Sequence, residues 1–138
     1  MQLQVVTPEG AKVSATVNGV NAPGELGALG ILPGHRALLT SLSIGLLSYA
    51  SEGETHWLSV NGGYMEVVDD DVIVVTETAE TPDQIDLERA EKALKEAQGE
   101  ISAIVGDRPE ALTVAQAALS RAETRIALTK HSKRQIPE

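Results

Sequence analysis

A chain of 138 residues provides one ordinary domain or two small lobes, and its 42% apolar content supports a packed core. It has no Cys, no Phe, one Trp (Trp57) and two Tyr (Tyr49, Tyr64), which excludes disulfides, thiol chemistry, Cys-based metal centres and an aromatic platform for single-stranded bases. A net charge of −9 disfavours nucleic acid and anionic lipid as partners.

The three His (His35, His56, His131) are dispersed, which argues against a His-rich metal site. No apolar run reaches the ~18 residues of a membrane span. Met1–Val5 lacks the basic patch and apolar run of a signal peptide, so a chain working inside the cell is expected.

Charge and hydrophobic period divide the sequence at one place. Residues 1–84 hold two basic residues (Lys12, Arg36) against eleven acidic ones, whereas residues 85–138 hold nine of each. From the N-terminus, Leu3 and Val5 alternate with Gln2 and Gln4, and Val13, Ala15 and Val17 with Lys12, Ser14 and Thr16. That is the period of strands with one buried face. Turn signals recur at Pro8–Gly10, Asn18-Gly19, Asn21–Gly24, Pro33-Gly34, Ser51–Glu54, Asn61–Gly63 and Asp69–Asp71. Between the later turns lie short apolar runs at Leu46–Tyr49, His56–Val60, Tyr64–Val68 and Val72–Val75. Residues 1–84 are therefore predicted to form an antiparallel β-sandwich of about ten short strands.

Residues 85–138 read as two helices. Leu87, Ala90, Leu94, Ala97, Ile101 and Ile104 recur at steps of three and four, as do Leu112, Ala115, Leu119, Ala122 and Ile126. Each stripe is a narrow seam suited to a partner helix. Asp107-Arg108-Pro109-Glu110 reads as a capping box with Asp107 at the N-cap, and Gly106 suits the end of the preceding helix. An antiparallel hairpin turning near 105–110 follows. Its small Ala seam residues bury little area per layer, which leaves the hairpin marginal alone and free to change position.

Few side chains carry chemistry. Gly24, Gly27 and Gly30 lack the spacing of a phosphate loop, no helix follows them, and they read as turn residues. His35 has no nucleophile or carboxylate partner nearby in sequence and reads as a structural or interface residue. Asp69-Asp70-Asp71 lacks calcium-loop spacing and reads as a solvated hairpin tip. Arg121 and Arg125, spaced i, i+4, share a helix face. With Asp86 and Arg89 they form either a polyanion clamp or ordinary surface ion pairs.

At Gly30-Ile31-Leu32-Pro33-Gly34-His35, followed by Leu38-Leu39 and Gly45, the sequence closely resembles the epsilon subunits of F-type ATP synthases. The resemblance continues through Asn61–Val67, Val72–Val75, Ile85–Ala90 and Ser120–Ile126, and so spans essentially the whole chain. It implies a non-catalytic rotor subunit that couples c-ring rotation to ATP synthesis, needs no cofactor and meets the membrane only through the c-ring. The expected location is the cytoplasmic face of a bacterial inner membrane, with the thylakoid stromal face as second choice.

The resemblance also implies two sets of contacts. The β-sandwich would face the gamma subunit on one side and the c-ring on another, with Gly27, Ala28, Gly30, Pro33, Gly34, His35 and Arg36 at the rotor contact. Relatives often carry an acidic residue where this chain has Ala28, and Glu25 is a candidate replacement. The hairpin would act as a mobile arm that extends along gamma and blocks ATP hydrolysis. Arg121, Arg125, Lys130, Lys133 and Arg134 would then meet acidic loops of the alpha and beta subunits; over the last 20 residues these five outnumber Glu123 and Glu138.

Some relatives bind ATP on the folded hairpin through an I-D-x-x-R-A motif. Ile85, Asp86, Arg89 and Ala90 match it, Arg121 and Arg125 match its second-helix cations, and Glu80 is a further candidate. Glu96 stands where a cation is expected, so at most a weak regulatory site is implied. The competing readings are a free-standing adaptor module and an enzyme built on His35 with nearby carboxylates.

Overall fold

The computed structural model describes residues 1–104, 106 and 108–131. The chain divides into two compact units, Met1–Thr81 and Pro82–Glu138.

The first unit contains β1 (Gln2–Thr7), β2 (Gly10–Thr16), β3 (Gly19–Gly24), β4 (Gly27–Ile31), β5 (Leu38–Ser51), β6 (Glu54–Val68), β7 (Asp71–Val75) and β8 (Ala79–Glu80). Hydrogen bonding runs in the order β2-β1-β7-β6-β5-β3-β4, with β8 added to β6. All these pairings are antiparallel except that of β1 with β7, which is parallel. The layers close as a β-sandwich over an aliphatic core that includes Leu3, Val5, Val20, Ile31, Leu47, Leu58, Met65, Val67 and Val74. The alternation in β1 is the cause: Leu3 and Val5 are buried while Gln2 and Gln4 are exposed. Each such buried aliphatic side chain contributes roughly 1.5–3 kcal/mol.

Eight strands form where about ten were expected, because two are long. β5 has 14 residues and β6 has 15, and their pairing keeps one register from Leu38↔Val67 to Ser51↔Glu54. Asn61-Gly62-Gly63, expected to be a turn, lies inside β6. Gly62 and Gly63 have φ of 71° and 107°, so the strand changes course without ending. The Asn61 N–H donates to the hydroxyl of buried Thr76 at 2.9 Å, which in turn donates to the Thr78 carbonyl.

Asn21–Gly24, also expected to be a turn, belongs to β3. Pro23 is tolerated there because the β3–β5 ladder jumps from Asn21 to Gly24, where no Pro N–H is needed. A Cβ on Gly45 would lie 2.8 Å from that of Pro23, so Gly45 admits the ring.

The true turns are two-residue ones. Glu52-Gly53 joins β5 to β6 and Asp69-Asp70 joins β6 to β7, with positive φ at all four residues. These mirror-image turns match the right-handed twist of the strands they join.

The second unit begins with a 3-10 turn at Pro82–Gln84, followed by α1 (Leu87–Ala103) and α2 (Pro109–Thr129). Asp86 caps α1, its Oδ1 accepting from the Arg89 N–H at 3.2 Å. The two helices pack against each other. Ala90, Ala97, Ala115 and Ala122 are the buried seam positions, and Leu94, Ile101, Leu112, Leu119 and Ile126 flank them half-buried. Leu87, expected in the seam, is exposed in the first turn of α1. Asp107, expected to cap α2, lies outside the described residues. The residue at the α2 N-cap is Arg108, which makes no side-chain capping bond, and Pro109 takes the first helical position.

Candidate functional site

The residues expected at the rotor contact fall on β4 and on the loop joining it to β5. Gly27, Ala28 and Gly30 are on β4, and Pro33, Gly34, His35 and Arg36 are on the loop. Pro33 and Gly34 are exposed. The His35 N–H donates to the Leu32 carbonyl at 3.1 Å, and His35 Nδ1 lies 2.8 Å from the Arg36 carbonyl. Both contacts tighten the loop on itself. Gly34 has a φ of 85°, and its N–H donates to Asp70 Oδ1 at 2.7 Å. Asp70 thus lies beside the loop despite standing 36 residues away in sequence.

Glu25, also expected at the rotor contact, lies just ahead of β4. It opens the two-residue turn between β3 and β4, where its N–H donates to the Ser41 carbonyl and its Oε2 accepts from the Ser41 hydroxyl. The carboxylate therefore pins the hairpin tip to β5. The tip presents Leu26, which is fully exposed.

One outer sheet face carries apolar side chains. Val6, Val75 and Tyr64 are cross-strand neighbours on β1, β7 and β6. The next rung carries Ile73, Glu66 and Leu39. Leu39 is 69% exposed, Tyr64 61% and Val75 50%, with Val68 close behind on the same face of β6. Scattered exposed hydrophobics are ordinary, but several on adjoining rungs of one sheet face form a patch suited to a protein partner. Sequence reasoning missed this patch, because strand alternation shows only that one face is more polar than the other.

The hairpin residues are spread along two helices. Asp86 is at the head of α1, Arg89 is exposed one turn later, and Arg121 and Arg125 are half-buried on α2. Ile85 is half-buried before Asp86. Glu80 sits on β8 in the first unit, so it belongs to a different unit from the other five candidates. Glu96 is exposed on α1. An open cavity of about 520 Å3 lies at the turn end of the hairpin, lined by Ile104, Arg108, Val114 and Ala115 among others; none of the six nucleotide candidates lines it. Lys130 is exposed past the end of α2, whereas Lys133 and Arg134 lie outside the described residues.

Among the described residues no group of three or more His, Cys, Asp or Glu is placed to hold a metal ion. No described helix is long and apolar enough to cross a membrane.

Family models match both units. The ATP synthase Delta/Epsilon chain beta-sandwich domain matches residues 1–82, and the ATP synthase Delta/Epsilon chain long alpha-helix domain matches residues 83–130. The chain is 44% identical over 126 residues to ATP synthase epsilon chain 2 of Syntrophotalea carbinolica, covering 91% of each. It is 43% identical over 136 residues to the ATP synthase epsilon chain of Geobacter metallireducens, covering 97% of this chain and 96% of the other. Among solved structures, a chain of the Euglena gracilis mitochondrial ATP synthase superposes with a TM-score of 0.79 at 25% identity, over 91% of this chain and 78% of that one. A chain from the central stalk and c-ring of the Tetrahymena thermophila mitochondrial enzyme shares the fold at a TM-score of 0.59 and 15% identity, covering 96% and 95%. Two family models that together span residues 1–130, with bacterial relatives above 40% identity over nearly the full length, leave one conclusion: the chain belongs to the ATP synthase Delta/Epsilon family, as an epsilon subunit, a non-catalytic subunit of an F-type ATP synthase.

Proposed function

We propose that the β-sandwich docks on the gamma subunit through the apolar sheet face around Leu39, Tyr64 and Val75. Its neighbouring edge, from the Glu25-Leu26 tip through Arg36, meets the c-ring. The observation that carries this reading is the exposed apolar patch on adjoining rungs, a surface that water alone leaves unsatisfied and a protein partner covers. Glu25 contributes by pinning the tip to Ser41, and Leu26 supplies the exposed apolar contact. The complex would hold this subunit peripherally at the cytoplasmic face of a bacterial membrane. Replacing Leu39 and Tyr64 by Asp should abolish co-purification with gamma while the isolated subunit stays folded; retained co-purification would defeat the docking face.

The hairpin is the regulatory arm of this proposal. Its Ala seam supports two positions separated by only a few kcal/mol. Arg121, Arg125, Lys130, Lys133 and Arg134 supply the charge that latches the extended arm on acidic loops of alpha and beta. Deleting residues 85–138 should raise ATP hydrolysis by the assembled complex several-fold; an unchanged rate would reduce the hairpin to a structural appendage. Weak regulatory ATP binding through Arg89, Arg121 and Arg125 belongs to the same reading, with Glu96 opposing the triphosphate. Calorimetry with the full chain at about millimolar ATP should give a small heat that grows in a Glu96→Lys variant; absence of heat in both removes the site.

A further inference from the structure

The turn joining β6 to β7 places two Asp residues at positive φ. Asp69 and Asp70 have φ of 47° and 62°, the left-handed region where Gly or Asn costs least. Asp71 adds a third carboxylate next to them, and like charges in sequence repel. Asp tolerates this region as Asn does, and at position 70 it also supplies something that Gly would not.

That something is an acceptor. Asp70 Oδ1 accepts the Gly34 N–H at 2.7 Å, a length typical of bonds to an ionised oxygen. The Asp70 carbonyl also accepts from the Gln2 N–H at 2.9 Å, which fixes the turn to the start of β1. The side chain thus reaches the loop from an anchored base. The loop's own bonds, His35 to Leu32 and His35 to Arg36, are internal and do not tie it to another element. Among the described bonds of residues 32–37, Gly34 to Asp70 is the one that crosses to a separate hairpin.

We infer that Asp70 is a positioning residue for the rotor contact, its carboxylate clasping the Pro33–Arg36 loop to the β6–β7 turn. The inference rests on the proposed function of that loop. Its physical content is that an exposed loop transmitting load must not swing, and one charge-assisted bond across a 36-residue separation fixes it at the point where Gly34 leaves ordinary backbone geometry.

Three variants separate a clasp from general stabilisation. Asp70→Gly removes the acceptor and relieves the left-handed strain, Asp70→Asn keeps an acceptor, and Asp69→Gly relieves strain without touching the clasp. In the full chain, exchange of the Gly34 amide proton should accelerate at least about tenfold in Asp70→Gly, by a smaller factor in Asp70→Asn, and less than about twofold in Asp69→Gly. The melting temperature of Asp70→Gly should not fall. In the assembled complex, ATP-driven proton pumping in membrane vesicles should drop in Asp70→Gly and return with Asp70→Asn. Unchanged Gly34 exchange in Asp70→Gly overturns the clasp, as does acceleration that spreads through β1 and β7, which would mark lost fold. Faster exchange with undiminished pumping overturns the link to the rotor. A His35→Ala, Arg36→Ala double variant that also pumps normally would place that failure in the proposed contact rather than in the clasp.

Discussion

Gly63 has no room for a side chain: a Cβ there would lie 1.9 Å from the Val75 carbonyl oxygen. Its φ of 107° is equally closed to other residues. Gly53 has a positive φ of 80° but open space around it. The two positions therefore separate clash from strain. Gly63→Ala is expected to cost more than about 3 kcal/mol and Gly53→Ala about 1 kcal/mol, measured by urea unfolding of each variant. Tyr49 offers a titration. Its ring stacks on His56 with centroids 5.0 Å apart, and burial raises its phenol above the ordinary value near 10. The folded state thus favours the neutral phenol. This contribution is complete below the ordinary tyrosine value and is lost as pH rises through the folded one. In a Tyr64→Phe background, the phenolate absorbance should develop at higher pH in the folded chain than in urea.

Elements show where local pattern suffices and where it stops. The alternation of β1 and the seam of the hairpin are both legible, because period alone decides which face is buried. Asn61–Gly63 misleads because Gly signals both a turn and a kink inside a strand. What separates them is Thr76, whose hydroxyl holds the Asn61 N–H from 15 residues away. The residues proposed for the rotor contact are legible only through family resemblance, and their Asp70 partner is not legible at all. No local pattern reports a bond between residues 34 and 70. Within the hairpin, Ala122 is 1% exposed and Ala115 2%, so both α2 methyl groups are fully covered. Ala122→Leu should force the helices apart, costing about 1–3 kcal/mol and lowering the helical melting transition seen by circular dichroism. Glu123 is exposed on the same turn, and its replacement by Ala should leave that transition within about 0.5 kcal/mol.

At the scale of the whole molecule, charge is distributed unevenly. The excess of acid lies in residues 1–84, while the last 20 residues carry five cations against two acids. Attraction between such a tail and acidic loops acts across solvent and weakens as the screening length shortens, from about 10 Å at 0.1 M salt to about 3 Å at 1 M. Under the proposed latch, the full-length subunit is therefore expected to restrain hydrolysis less as salt rises. A complex lacking residues 85–138 should show no such relief, and a parallel comparison of hydrolysis rates over a salt series checks it.

The long ladder between β5 and β6 has a mechanical consequence. Thirteen paired positions join them in one register from end to end. A force directed along these strands stretches many rungs simultaneously instead of peeling them one after another, so resistance adds across the ribbon. Tugging at right angles meets only the terminal rung. Pulled singly in an optical trap, the subunit should rupture at far greater force in the first geometry than in the second.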